Sequence, residues 1–162
     1  MTIRRATADD VEGVHDVARA SWTADYPDIL SRETAEEGVS EWYTPERLRA
    51  DLDDPRTRLF VAESDGRVTG FAHALVDDEE GHLLRLYVHP NYRREGVGRR
   101  LFEAVREELD GLDVERVTAM VLAANDLGNA FYADLGFEKV GEGETTIGGE
   151  TFAENRYARA IG

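Results

Sequence analysis

Residues 83–105 read Leu83-Leu84-Arg85-Leu86-Tyr87-Val88-His89-Pro90-Asn91-Tyr92-Arg93-Arg94-Glu95-Gly96-Val97-Gly98-Arg99-Arg100-Leu101-Phe102-Glu103-Ala104-Val105, and the fold turns on this stretch. The apolar run Leu83 to Val88 reads as a buried strand. Pro90 stops it, because proline cannot donate to a sheet ladder. Beyond the turn, Val97, Leu101, Val105 and Leu109 recur at every fourth position with Phe102 beside them, one face of an amphipathic helix. The order is therefore strand, basic glycine-containing turn, helix.

The turn is where chemistry concentrates. Gly96 and Gly98 lack a Cβ and let the backbone approach a ligand. The first helical turn has N–H groups without intrahelical partners, and these favour an anion such as a phosphate. Arg93, Arg94, Arg99 and Arg100 add positive charge in an acidic chain. A strand-to-helix turn with solvated arginines explains the same spacing. The Gly-Lys-Ser/Thr ending of a Walker A loop and the three-glycine dinucleotide fingerprint are both absent.

A second constellation lies in Asn125-Asp126-Leu127-Gly128-Asn129-Ala130-Phe131-Tyr132-Ala133-Asp134-Leu135-Gly136-Phe137. Asn125, Asn129 and Tyr132 are spaced by four and three, so they share one helical face. Two amides and a phenol on one face suit a cleft wall. A half-exposed surface helix with Asn125 as its N-cap suits the spacing as well.

Arg93-x-x-Gly96-x-Gly98 after Leu86-Tyr87-Val88-His89-Pro90 resembles the acetyl-CoA motif of the GNAT N-acetyltransferases. Asn125, Tyr132 and Leu135-Gly136-Phe137 resemble that family's second motif, with Gly128 in place of a usual Ala. The resemblance implies a GNAT-like α/β (α+β) fold over a single domain, residues 1–162. Its sheet would be mixed and mostly antiparallel, with about seven strands splayed between the fourth and fifth and about four flanking helices. It implies acetyl-CoA as cosubstrate and acetyl transfer to a primary amine by direct attack, without a metal. Backbone groups of Leu86, Tyr87 and Val88 would hold the pantetheine arm and polarise the thioester carbonyl. The acetyl-CoA-binding set would continue through Arg93, Arg94, Glu95, Gly96, Val97, Gly98, Arg99 and Arg100, with the amides of Arg94 to Arg99 holding the pyrophosphate. Asn125 would contact the pantetheine, and Tyr132 would protonate the departing thiolate. Asn129 joins the binding set only through its place on the shared face. Trp22, Tyr26 and Tyr43, with Trp42, lie where the family frames its amine pocket; core or surface packing is the other reading, and for Trp22 on an apolar face core packing is the favoured one. The general base stays unassigned: Arg85 is the only charged residue of the central strand, and His73, His82 and His89 are candidates by type alone. A non-catalytic acyl-CoA-binding module and a different nucleotide binder remain alternatives.

Composition sets outer limits. A chain of 162 residues can bury a real core. It has no cysteine, which excludes disulfides, thiolate metal sites and a cysteine nucleophile. No apolar run is long enough to span a bilayer, no signal-peptide core follows Met1, and a cytoplasmic location is the default expectation. The net charge of −15 argues against nucleic acid and anionic membranes as partners. The acceptor expected is a small-molecule or peptide amine, and a homodimer is compatible with the family. Of 19 Lys and Arg residues only Lys139 is a lysine, a composition that resembles halophilic proteins, though an ordinary acidic protein is the other reading.

The remaining elements follow from local signals. Ile3 to Ala6 reads as a first strand, and Thr7 with Asp10 as a capping box before a helix carrying Val11, Val14, Ala18 and Trp22. Ser31 to Val39 reads as a weak helix, and Thr44-Pro45-Glu46 as the start of another. Leu59 to Ala62 and Val68 to Val76 form a hairpin through Asp65-Gly66, and Asp77 to Gly81 an acidic turn into the central strand. Arg116 to Leu122, a strand starting at Phe137, and Thr151 to Ala160 complete the sheet, the last two joined at Gly148-Gly149.

Overall fold

The computed structural model describes residues 1–25 and 44–161. Seven strands, β1 (Thr2–Arg5), β2 (Thr57–Ser64), β3 (Arg67–Asp77), β4 (Glu80–Val88), β5 (Arg116–Leu122), β6 (Glu138–Ile147) and β7 (Glu150–Ala160), form one sheet in the order β1-β2-β3-β4-β5-β7-β6. Among the described residues four α-helices flank them: α1 (Val11–Asp25), α2 (Pro45–Asp53), α3 (Val97–Gly111) and α4 (Asp126–Asp134). All pairings are antiparallel except β4 with β5. This is the mixed, splayed architecture expected above. The expected helix over Ser31 to Val39 lies outside the described residues.

The hairpins form where the turn residues permit positive φ. Asp65 and Gly66 (φ 52° and 77°) join β2 to β3, and Gly148 and Gly149 (φ 55° and 80°) join β6 to β7. Between β3 and β4 the turn is tighter than the acidic run suggests. Asp77 pairs with Glu80, and Asp78 takes the left-handed conformation at φ 53°. β4 therefore starts three residues before Leu83. Thr7 N–H donates to the Asp10 carboxylate at 2.8 Å, the reciprocal half of the capping box, ahead of a short 3₁₀ turn (Ala8–Asp10) and α1. Arg4 holds that carboxylate from the other side at 2.7 and 2.9 Å, and keeps the Asp10 carboxyl below its ordinary range.

Each face of the sheet carries its own core. α3 places Val97, Leu101, Phe102, Val105 and Leu109 on Phe60, Ala72, Ala74, Leu83, Val117 and Ala119, and Tyr132 of α4 joins them. α1 and α2 place Val14, Val17, Trp22 and Leu48 on Leu59, Val61 and Phe71, with Leu122 and Ile147. Adjacent residues of β2 thus serve opposite cores, as the two-residue period of a strand requires.

The pairing of β4 with β5 is short. It runs only from Glu80–Arg116 to Leu83–Ala119. On the β3 side, Ala74 faces Leu83 but His73 faces Arg85, so Leu84 is an extra residue in β4. A bulge of this kind bends its strand and sharpens the twist. β4 leaves β5 at the bulge, while β5 continues against β7 through Leu122–Glu154.

Candidate active site

Past the bulge, Leu84 to Val88 has no strand on its β5 side among the described residues. The gap widens into a cleft of about 690 Å³ walled by β4, β5, the 93–99 turn, α4 and the end of α1. Leu86, Tyr87, Val88, Arg93, Arg94, Gly96, Val97, Gly98, Arg99, Asn125, Tyr132 and Trp22 all line it. Tyr26, Trp42 and Tyr43 lie outside the described residues.

The turn has backbone features that suit an anion. Arg94 (φ 67°) and Gly96 (φ 78°) both take left-handed backbone, which gathers successive N–H groups on the concave side. α3 begins at Val97 with Gly96 as N-cap, and Gly96 brings no side chain to satisfy its first N–H groups. Arg94 and Arg99 are exposed beside it. Glu95 and Arg100 are exposed but lie off the cleft wall, because the turn and the first helical residues point them away. Gly98 serves packing as well as approach: a Cβ there would come within 2.9 Å of the Phe131 ring on α4.

Arg93, expected in the cofactor-binding set, is engaged with other residues of the chain. Its guanidinium forms a two-pronged ion pair with Asp25 at the end of α1, Nη2 lying 2.8 Å from Oδ2. Its Nε donates to the Val88 carbonyl at 3.1 Å, and the Ser21 hydroxyl donates to the same carbonyl at 3.2 Å. Arg93 thus ties α1, the end of β4 and the turn together. The Val88 carbonyl is occupied by these two donors, which leaves the backbone before it to meet a ligand.

Asn125 and Tyr132 face the cleft and Asn129 does not. Asn125 caps α4, its Oδ1 accepting the Gly128 N–H at 3.0 Å. A Cβ on residue 128 would lie 2.6 Å from Asn125 Nδ2, so glycine at that position makes room for the cap. Asn129 is turned toward the sheet. Its Nδ2 donates to the Asn125 and Leu122 carbonyls at 2.7 and 3.1 Å, and its Oδ1 accepts from Asn155 at 2.9 Å and Tyr157 at 2.6 Å. Every polar atom of that amide is used in fastening α4 to β5 and β7. Shared helical spacing placed Asn129 on the right helix but overstated its reach.

Tyr132 is 7% exposed and set among Phe131, Phe137 and Tyr157 at ring distances of 5.2 to 6.0 Å. Burial, reinforced by Tyr87 nearby, raises its phenol above the ordinary value, so it holds its proton at neutral pH. Trp22 does double duty, 1% exposed in the α1 core with an edge on the cleft.

The histidines divide. His73 is 3% exposed on β3, accepts from Arg85 Nη1 at 3.0 Å through Nδ1, and lies off the cleft wall; burial and then Arg85 push it down to about 4. His82 lines the cleft but is held by Thr118 Oγ1 at 2.7 Å across the β4–β5 pairing. His89 Nδ1 accepts the Asn91 N–H at 3.1 Å, the turn-stabilising role. Three residues were not singled out from the sequence: Asp25, Ser21 and Glu154. Asp25 and Ser21 act on residues far along the chain, and Glu154 is one of many acidic residues. Among the described residues no group of acidic or histidine side chains could hold a metal, and no helix is long and apolar enough to cross a membrane.

Residues 29–152 match the model of the acetyltransferase (GNAT) domain family. The chain is 28% identical over 159 residues to a spermidine N(1)-acetyltransferase of Thermoplasma acidophilum, covering 96% of each chain. It is 34% identical over 94 residues to the [ribosomal protein bS18]-alanine N-acetyltransferase of Escherichia coli, covering 58% of this chain and 64% of that one. Among solved structures, the PaiA N-acetyltransferase of Thermoplasma acidophilum in complex with coenzyme A superposes with a TM-score of 0.83 at 26% identity, over 96% of this chain and 98% of that one.

Proposed function

The chain belongs to the GNAT acetyltransferases, a family of acyltransferases, and from that premise we propose that it moves an acetyl group from acetyl-CoA to a primary amine by direct attack. The observation that carries this reading is the slot between β4 and β5, which opens onto both the 93–99 turn and Tyr132. Its walls fit the donor in kind: backbone along Leu84 to Tyr87 that has no strand on its β5 side among the described residues for the pantetheine amides, and a left-handed turn of N–H groups with Arg94 and Arg99 for the phosphates. Asn125 stands on the wall toward the pantetheine. Tyr132 is the general acid, since its phenol lines the cleft and a phenol is protonated at neutral pH, so it has a proton to give to a leaving sulfur. The relatives named for spermidine and ribosomal-protein acetylation support an amine acceptor.

A non-catalytic acyl-CoA-binding module is the competing reading, and Tyr132 on the cleft wall favours the enzyme. Thermal shift with acetyl-CoA and with ATP tests the donor site, and thiol release with a panel of primary amines tests turnover. Stabilisation by acetyl-CoA alone, with amine-dependent thiol release, is the expected result. Stabilisation without release for any amine removes the enzyme reading, and equal stabilisation by ATP removes the acetyl-CoA site.

A further inference from the structure

The cleft has two sides, and the roles assigned so far lie mostly on one. On β7, Asn155 and Tyr157 reach Asn129 of α4, so the residues between and beside them project from the opposite face of the sheet. Glu154 is one of these. It pairs with Leu122 of β5 and Gly143 of β6, and lines the cleft with Ile147 and Thr145. Leu122 and Ile147 belong to the core beneath α1, the core that also holds Trp22. Glu154 therefore enters the cleft from the α1 side, and Tyr132 enters from the α3 and α4 side.

The other carboxylates of the cleft are committed or marginal. Asp25 is bound by Arg93, and Asp134 is exposed at the last position of α4. The Glu154 side chain is half-buried, and no hydrogen bond or ion pair joins it to the described residues. Its neighbours across the strands, Leu122 and Gly143, carry no charge. The charged group acting on it is Arg156 on its own strand, whose guanidinium lies against Gly143. From other elements, Arg85 of β4 and Asp25 of α1 face the same cleft. Burial raises the Glu154 carboxyl and Arg156 partly offsets this, which brings it nearer to the range useful for proton transfer.

Resting on the acetyl-transfer reading, we propose that Glu154 receives the ammonium of a primary alkylamine acceptor from the α1 side of the cleft and acts as its general base. Glu154 takes one proton from the ammonium. The freed nitrogen lone pair forms the N–C bond at the thioester carbonyl, and the C–S bond breaks with its electron pair on sulfur. Tyr132 gives its proton to that sulfur and recovers one from the nitrogen, which ends as the amide. One proton remains, on Glu154, and leaves to solvent. An apolar wall of Trp22, Leu84, Met120 and Ile147 suits the alkyl chain of such an acceptor.

The test is Glu154→Gln, with acetyl-CoA and n-butylamine, putrescine or spermidine, followed by thiol release from about pH 6 to 10. General base loss is worth about 10² to 10⁴-fold. The expected result is a kcat/KM lowered by at least about 10²-fold near pH 7. The deficit should shrink toward pH 10, where an alkylamine with a pKa of about 10.4 begins to be neutral unaided. Glu154→Asp should recover part of the rate, with melting temperature and CoA affinity unchanged in both variants. Wild-type kcat/KM in Glu154→Gln overturns the proposal. So does a raised amine KM with unchanged kcat and an unchanged pH profile, which marks simple charge attraction. If the wild-type chain acetylates none of the three amines but releases thiol with another amine of the panel, this proposal falls alone, as it does if turnover is unaffected by the substitution; if no amine of the panel gives release, the transfer reading falls with it.

Discussion

Replacing Arg93 with alanine separates a brace from a phosphate ligand. The substitution removes both bonds to Asp25 and the bond to the Val88 carbonyl. It leaves an Asp25 carboxylate whose side chain is 14% exposed, opposite an Arg93 side chain that was 25% exposed. Removing one partner of a fully buried pair costs about 3–5 kcal/mol, and residual solvent access lowers the expectation here to about 2 kcal/mol. For a chain of this length that is a fall in melting temperature of about 4–8 °C. Adding Asp25→Ala should return about half of the loss, because the orphaned charge goes with it. The functional half of the assay compares acetyl-CoA with S-acetylpantetheine, which has no phosphates. A brace holds the end of β4 for both, so kcat/KM should fall by the same factor for both donors. A lost charge-assisted phosphate contact, worth about 1.5–3 kcal/mol, would instead lower acetyl-CoA alone by roughly 10 to 150-fold. An unchanged melting temperature with a selective loss of acetyl-CoA would refute the bracing argument.

Three further outcomes are expected. Tyr132→Phe keeps the ring among Phe131, Phe137 and Tyr157 but removes the proton, so kcat should drop at least about tenfold with CoA affinity unchanged; a wild-type kcat under rate-limiting chemistry makes it a packing residue. His73 is held at about 4 in the fold against 6.5 when free, so the unfolded chain binds the extra proton between those values and stability is lost as pH falls from 6.5 toward 4, by up to about 3 kcal/mol. His73→Leu should flatten that window in urea titrations, whereas Asp10, held low by Arg4, acts at more acidic pH; an unchanged slope removes His73 as the cause. With a net charge of −15, melting temperature should climb from low salt to about 2 M KCl, beyond the point where screening lengths have shrunk to roughly 3 Å; a flat curve identifies an ordinary acidic chain.

What was legible in the sequence was local. Leucine and valine at every fourth position after Gly96 announced α3, and Asp65-Gly66 and Gly148-Gly149 announced hairpins, because each signal is a backbone preference of the residues themselves. The bulge at Leu84 was not legible. A strand apolar on both faces shows no alternation for a skipped residue to break. Nor was the orientation of Asn129, whose partners Asn155 and Tyr157 arrive on a strand 26 and 28 residues later. Arg93 meets an aspartate 68 residues earlier, and nothing near position 93 distinguishes an arginine that braces from one that waits for phosphate. Nor was the reason for Gly128 in place of a usual Ala legible, because the Asn125 side chain that occupies the space is placed only by the folded cap.

The slot also bears on the open strand edge that it creates. An unpaired strand edge inside a sheet is ordinarily an invitation to a foreign strand, and hence to aggregation. Here the two borders of the gap diverge from a closed apex at Leu83–Ala119, so they do not run parallel at the spacing of about 4.8 Å that an inserted eighth strand would need on both sides. A strand entering from another copy could satisfy one border for a few residues and would then meet the apex. A thin, flexible chain with a few amides has no such difficulty. The wedge therefore sorts visitors by width and stiffness, and leaves an open backbone edge inside the protein without making it adhesive to its own kind.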